Sequence, residues 1–144
     1  MSKTGAIHFH FADTPFRLRQ RRAIRAWLST LALHHGHTIG ELNYLFCSDG
    51  YMLNMNSRHL NHHYYTDILT FPNPSALGVS ADILISIDRV RDNAKHLGHS
   101  PANELHRVMA HGLLHLIGFD DTTPSKGHRM RTAEDEALRM RTFH

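Results

Sequence analysis

Hydrophobic and polar residues alternate near the start of the chain, where Ile7, Phe9 and Phe11 are separated by His8 and His10. A period of two is typical of a β-strand with one buried face. Short apolar runs bounded by turn residues predict further strands. The three segments concerned are Thr38–Cys47, Asp67–Phe71 and Ala81–Ile87.

Helical signals lie between and after these strands. Asp13-Thr14-Pro15 predicts a helix start, with aspartate as N-cap and proline in the first turn. The apolar residues assigned to this helix are Phe16, Ile24, Trp27, Leu28 and Leu31. Further helix starts are predicted at Ser48-Asp49-Gly50, Asp88, Ser100-Pro101 and Thr123-Pro124. Gly118 is expected just past the end of the fourth helix, where glycine commonly closes a helix.

The element order β-α-β-α-β-β-α-α-α predicts an α+β fold. We expect a small mixed β-sheet of about four strands covered by about five helices. A chain of 144 residues suits one hydrophobic core, so residues 1–144 are expected to form a single domain.

Composition narrows the class of protein. Apolar residues make up 41% and charged residues 20% of the chain, which is ordinary for a soluble globular protein. No apolar run approaches the roughly 20 residues that cross a bilayer, and no secretion signal is recognisable. The single cysteine, Cys47, excludes an internal disulfide. These features predict a cytoplasmic protein with no membrane partner.

Charge and histidine content are less ordinary. The net charge is +3, a mild basic bias that suits a polyanionic partner. A group of arginines could form a strip facing RNA, although charged residues on a helix are usually only solvated, and we favour that interpretation. The group comprises Arg17, Arg19, Arg21, Arg22 and Arg25. Histidine accounts for 15 residues, too many for metal ligands alone, so spacing must distinguish the ligands.

A candidate metal site lies at the end of the fourth predicted helix. His111 and His115 are four residues apart and therefore project from one helix face. Gly118 permits a sharp turn that brings Asp121 back toward them. Two imidazoles, one carboxylate and an open fourth position are typical of a catalytic zinc site. His128 is the main rival for the third position.

The residue beside the first histidine indicates the substrate. Zinc peptidases of the HExxH type place a glutamate there as general base, and this chain has Gly112. A bound metal can itself acidify water and stabilise charge on a phosphate oxygen. A phosphodiester substrate therefore fits better than a peptide. The alternative to a metal site is that His111 and His115 are ordinary surface histidines on an amphipathic helix.

The motifs of this region resemble those of the YbeY-type ribosomal RNA maturation endoribonucleases. The family pattern H-G-x-L-H-L-x-G-(F/Y)-D-H matches the run from His111 to Asp120, and it continues with Met130 and Glu134. Upstream, Thr66-Asp67-Ile68-Leu69-Thr70-Phe71-Pro72 resembles T-D-V-L-S-F-P, and Asp82-Ile83-Leu84-Ile85-Ser86 resembles G-D-I-x-I-S. The resemblance spans roughly residues 54–138.

The chain departs from the family pattern at two positions. Asp121 stands where the family has its third histidine, and aspartate is a competent oxygen ligand that can change metal preference. Leu60 stands where the family has an arginine, and the nearest arginine is Arg58. Arg58 is thus a tentative catalytic residue, with an ordinary surface role as the alternative.

The resemblance implies a single-strand-specific, zinc-dependent endoribonuclease that acts in 16S rRNA 3′-end maturation and ribosome quality control. It implies one divalent ion per chain, held by His111, His115 and Asp121, with manganese or magnesium as alternatives to zinc. The expected partners are single-stranded ribosomal RNA and the ribosome or its small subunit, and no DNA. Two other functions stay open: a zinc-dependent peptidase, and a non-catalytic ribosome-associated module in which the metal pins the last two helices.

Overall fold

The computed structural model describes residues 5–60, 66–74 and 77–143, with the side chains of residues 58–60 left undescribed. The strands are β1 (Ala6–Phe11), β2 (Ile39–Cys47), β3 (Ile68–Pro72) and β4 (Val79–Ser86). The helices are α1 (Arg21–His34), α2 (Asp49–Leu60), α3 (Ile87–Leu97), α4 (Pro101–Leu116) and α5 (Pro124–Arg139). The predicted element order and the α+β class are confirmed.

The strands form one mixed sheet in the order β1-β2-β4-β3. The pairs β1–β2 and β2–β4 are parallel, and β3 runs antiparallel to β4 at the edge. The alternation predicted for β1 is confirmed, since Ile7 is buried while His8 and His10 are exposed. The predicted mixed sheet is therefore present, with strand bounds that differ by one or two residues.

Helix α4 lies against the sheet and is buried along most of its length. The hydroxyl of Tyr44 on β2 donates to the carbonyl of Met109 at 3.1 Å, which ties the helix to the sheet. At Gly112, a Cβ atom would lie 2.8 Å from Cδ1 of Ile68 and 3.4 Å from Cγ2 of Ile83. The absence of a side chain at residue 112 therefore lets α4 approach β3 and β4 closely.

Helix α5 packs on α4 and is tied to α1 by the single tryptophan. The indole Nε1 of Trp27 donates to the carbonyl of Ala137 at 2.8 Å in a buried position. The rings of His106 and Phe143 contact the indole edge-on, with centroids 5.8 Å away in each case. These contacts join segments from both ends of the chain.

The predicted start of the first helix was wrong. The helix begins at Arg21, after an extended segment that buries Leu18, and Gln20 precedes it in a left-handed conformation (φ 59°). The carboxylate of Asp13 instead accepts hydrogen bonds from the backbone N–H and the hydroxyl of Ser48, at 3.1 and 2.7 Å. The side chain of Asp13 therefore makes a tertiary contact with Ser48 and does not cap α1.

The predicted N-cap of the third helix was wrong as well. The cap is Ser86, whose hydroxyl accepts from the N–H of Arg89. Asp88 instead accepts from the backbone N–H of Asp49 at 2.8 Å, so it satisfies the first turn of α2. Two neighbouring helices share their capping groups at this end of the sheet.

The predicted N-caps of α4 and α5 and the glycine turn after α4 are confirmed. The hydroxyls of Ser100 and Thr123 cap α4 and α5. Gly118 has φ 118°, and the turn makes the paired bonds of a Schellman motif, from Gly118 N–H to His115 and from Phe119 N–H to Leu114. The sequence predicts that the last helix runs to the C-terminus, whereas α5 ends at Arg139. No helix in the described ranges combines the length and hydropathy needed to cross a bilayer.

Candidate active site

A polar cleft of about 780 Å³ opens between α4, α5 and the turn that joins them. Its ionisable lining residues are Asp67, Arg107, His111, Asp121, Arg131 and Glu134. The cleft thus gathers residues from the start of β3, from two helices and from the turn after Gly118. The Thr66–Pro72 motif contributes Asp67, the histidine motif contributes His111, and the last helix contributes Glu134.

His111 is held by a buried carboxylate on α5. Its Nδ1 lies 2.5 Å from Oε2 of Glu134, whose side chain is only 4% exposed. This contact leaves Nε2 of His111 as the nitrogen available to a ligand. A carboxylate behind the imidazole is the usual partner of a metal-binding histidine, because it fixes the tautomer and the ring orientation.

A second pair of charges supports Glu134. Arg107 Nη1 donates to Oε1 of Glu134 at 2.8 Å, and Arg107 also forms a two-pronged contact with Glu104. Glu104 is fully buried, and its charge is balanced within this group. The order Glu104–Arg107–Glu134–His111 therefore forms a continuous chain of charged hydrogen bonds that ends at the cleft.

Burial and mutual attraction shift the pKa values of His111 and Glu134 in this hydrogen-bonded group. Burial disfavours a charge on His111, but the hydrogen bond and charge of Glu134, together with Asp67 and Asp121, outweigh it and raise the pKa of His111. Burial likewise opposes ionisation of Glu134, yet His111 and Arg107 lower its pKa. The site therefore attracts positive charge at the imidazole.

Asp67, which is half-buried, adds a carboxyl to the lining of the cleft. Burial raises the pKa of Asp67, and the charges of His111 and Arg107 act in the other direction. Its Oδ2 accepts from Nδ2 of Asn93 at 3.2 Å, which fixes the side chain. The Thr66–Pro72 motif thus delivers a carboxylate to the cleft as well as a strand to the sheet.

The structure brings together some of the predicted site residues. His111 and Asp121 line the same cleft, whereas His115 is exposed and is not among the residues lining it. The donor atoms of these three do not all come within 4.8 Å of one another, so the three-ligand set stays a prediction. The side chain of Arg58 lies outside the described residues, as does that of Leu60.

The rival third ligand, His128, faces elsewhere. It lines a separate cleft together with His35, Phe119 and Glu136. This placement favours Asp121 over His128 as the partner of His111.

A group with metal-ligand spacing was not anticipated from the sequence. His34, His35 and Glu136 place one donor atom each within 4.8 Å of one another. A possible metal-binding His/Glu group is thus present in the described part of the chain. It joins residues about a hundred positions apart, and no local motif indicates it.

The charged chain behind His111 was also missed in part. Glu104, Arg107 and His111 are spaced by three and then four residues, which places them on one face of α4. That spacing could have indicated the network. The link from α4 to Glu134 depends on helix packing and has no sequence signal beyond the family pattern.

Comparison with known proteins identifies the family. The family model described as Endoribonuclease YbeY matches residues 9–141. This chain belongs to the YbeY endoribonuclease family. A YbeY endoribonuclease from Cytophaga hutchinsonii is 51% identical over 142 residues, covering 98% of this chain and 99% of the relative. Another, from Porphyromonas gingivalis, is 42% identical over 134 residues, covering 93% of this chain and 89% of the relative.

A solved structure shows the same fold as this YbeY-family chain. The solution structure of a protein from Thermotoga maritima superposes with a TM-score of 0.64 at 18% sequence identity. The match covers 94% of this chain and 87% of the other. The resemblance found in the sequence motifs is thereby confirmed at the level of family and fold.

The donor atoms of the cleft have the chemistry to hold a divalent cation. His111 offers one nitrogen whose orientation is fixed from behind by Glu134, and Asp121 offers carboxylate oxygens in the same cleft. Nitrogen and carboxylate donors with an oriented histidine are the features of a catalytic metal centre.

Glu134 is expected to tune this site without contacting an ion. In Glu134→Gln, metal affinity should fall by about 10–100-fold, the usual loss when the partner of a metal-binding histidine is removed. Competition with a chromogenic chelator measures the change. Asp135→Asn, an exposed neighbour on α5, is the matched control and should bind metal as the wild type does. Equal affinity in both variants would show that Glu134 has no part in orienting His111.

Proposed function

We propose that this protein is a single-strand-specific metallo-endoribonuclease that acts in the cytoplasm in 16S rRNA 3′-end maturation and ribosome quality control. The family membership supports RNA cleavage. The observation that carries the site assignment is the short contact between His111 and the buried carboxylate of Glu134, in a cleft that also contains Asp121. The whole of residues 1–144 is proposed to serve as this one domain.

His111, His115 and Asp121 are proposed as the ligands of one divalent ion, zinc in the first place and manganese or magnesium otherwise. A divalent ion at such a site supplies Lewis acidity, which acidifies water and stabilises negative charge on a phosphate oxygen. His111 binds through Nε2, and Glu134 and Arg107 hold the ring in place. His115 lies one turn further along α4, where its side chain is exposed.

One exposed arginine of the cleft suits contact with an RNA backbone. The exposed side chain of Arg131 lines the cleft, and a guanidinium matches the geometry of phosphate oxygens. Two arginines of α1 are engaged differently, since the guanidinium groups of Arg21 and Arg25 lie over the rings of Phe11 and Phe9. We therefore assign RNA contact to the cleft wall, with Arg58 as a further proposed catalytic residue and the small ribosomal subunit as the proposed partner.

The peptidase alternative is disfavoured by the packing of α4. The position that carries the general base in HExxH enzymes is Gly112, which faces Ile68 and Ile83 in the core. A side chain there would point into the sheet and away from the cleft. The non-catalytic alternative is separated from an enzyme by the assays that follow.

The purified protein should cut single-stranded RNA and leave double-stranded RNA and casein intact. Cleavage should stop on addition of a chelator and return with zinc, because the proposed ligands act through one ion. Binding should weaken as salt rises, since contacts with phosphates release counterions. Gel analysis of labelled RNA measures both effects. Chelator-sensitive proteolysis without RNA cleavage would instead support the peptidase, and metal binding with no cleavage of any RNA would support the non-catalytic module.

The third ligand can be identified by paired substitutions. Asp121→Ala should lose most of the metal affinity, whereas His128→Ala should change it little because His128 lines the other cleft. Asp121→His should retain the ion and bind zinc at least as tightly, since imidazole nitrogen is the softer donor. Calorimetric titration with zinc and manganese measures all three. If His128→Ala empties the site and Asp121→Ala does not, Asp121 has been assigned wrongly.

A further inference from the structure

A second cluster of potential metal ligands lies where the end of α1 meets α5, outside the cleft that contains His111. Nε2 of His34 lies 3.0 Å from Oε1 of Glu136, across 102 positions of sequence. His35, the residue that ends α1, contributes a donor atom within 4.8 Å of the other two. Two imidazoles and a carboxylate therefore converge from separate segments of the chain.

The ring of His35 is held in a defined orientation. It packs edge-on against His34, with centroids 4.9 Å apart, and against Phe119, with centroids 5.2 Å apart. Its Nε2 is buried and has no hydrogen-bond partner in the structure. A histidine in this setting is available as a ligand.

We propose that His34, His35 and Glu136 bind a divalent transition-metal ion, with zinc as the best match, at a site separate from the proposed catalytic ion. Two histidines and one glutamate form a donor set known for zinc, and imidazole also suits nickel and copper. The adjoining cleft of about 410 Å³ leaves room for water at the fourth position. The protein then binds two ions, where the sequence predicted one.

An ion at this site would join α1 to α5. Its ligands come from the end of α1 and from the last turns of α5, and Phe119 of the α4–α5 turn packs on the same imidazole. Glu136 lies two residues after Glu134, the partner of His111. Because binding stabilises only the folded arrangement, the ion should strengthen the docking of the helix that carries Glu134.

Zinc titration of the full chain, freed of metal beforehand, tests the proposal. The wild type should bind two ions, and His111→Ala should bind one. Adding Glu136→Gln or His34→Ala to His111→Ala should remove the remaining ion and abolish the rise in melting temperature that zinc produces. His37→Ala is the matched control, since His37 is exposed, lies two residues from His35, and is not part of the cluster.

The alternative outcomes are distinct. Zinc binding to His111→Ala that survives both Glu136→Gln and His34→Ala would overturn the second site and indicate scattered surface histidines. Equal loss in His37→Ala would also overturn it. If the single variant Glu136→Gln binds one ion fewer than the wild type, while His111→Ala binds as many ions as the wild type, the second site is supported and the proposed catalytic site is contradicted. Cobalt(II) spectra of His111→Ala, with and without Glu136→Gln, report the coordination independently of activity.

Discussion

Replacing His111 by alanine is expected to reduce RNA cleavage by more than about 100-fold. Removing a residue that only orients a metal ligand costs up to about 100-fold, and removing the ligand itself should cost more. The variant removes a proposed ligand itself and leaves Glu134 facing the cleft. Cleavage of single-stranded RNA at saturating zinc measures the loss. His99→Ala, an exposed histidine just before α4, is the control and should retain activity. Wild-type cleavage by His111→Ala would exclude this cleft as the active site.

The same variant should show a pH-dependent change in stability when a chelator is present. The folded protein raises the pKa of His111 above its ordinary value of 6.5, so the protonated ring stabilises the fold. That contribution is present in full below pH 6.5 and is lost as the pH rises through the raised pKa. Urea unfolding should therefore show a larger deficit for His111→Ala in acid than in mildly alkaline buffer. A deficit that grows with pH would contradict the charge assignment.

Introducing the peptidase glutamate is expected to destabilise the fold and to give no peptidase activity. Gly112→Glu forces a charged side chain against Ile68 and Ile83, and overpacking together with an unpaired buried charge should cost about 3–5 kcal/mol. Urea denaturation followed by circular dichroism measures this. The deficit should shrink in acid, because burial favours the neutral carboxyl.

Gly112→Ala is the matched control for that experiment. Its Cβ would meet Ile68 at the flexible end of the side chain, which can shift, and alanine favours the helix by about 1 kcal/mol over glycine. We expect only a small change in stability. A stable Gly112→Glu variant with casein-cleaving activity would contradict both the packing argument and the preference for RNA.

Local patterns in the sequence predicted the elements that depend on local chemistry. Three kinds of local feature were confirmed: the alternation at Ile7–Phe11, the caps at Ser100 and Thr123, and the turn at Gly118. Each depends only on residues that are close together in the sequence. The α+β class followed from their order.

The failures have a common physical cause. Asp13 and Asp88 satisfy cap rules locally, yet each carboxylate accepts hydrogen bonds from the start of α2, a segment at least 35 residues away. Helix α1 starts late because the apolar side chain of Leu18 is buried from an extended segment. Competition between a local and a distant partner cannot be resolved without the tertiary structure.

The same limit applies to the site. Their spacing in the sequence identified His111 and Asp121 as candidate metal ligands, and the structure places both in one cleft. The support of His111 by Glu134 and the cluster of His34 with Glu136 depend on how α5 packs against α4 and α1. Such contacts have no period and no motif of their own.

The buried indole of Trp27 gives the molecule a built-in optical reporter. It is the chain's single tryptophan, and its N–H bonds to the backbone of α5 at Ala137. When α5 leaves α1, solvent that reaches the indole would shift its emission to longer wavelength. Intrinsic fluorescence therefore follows the attachment of the helix that positions His111, without a label and without a change to the sequence.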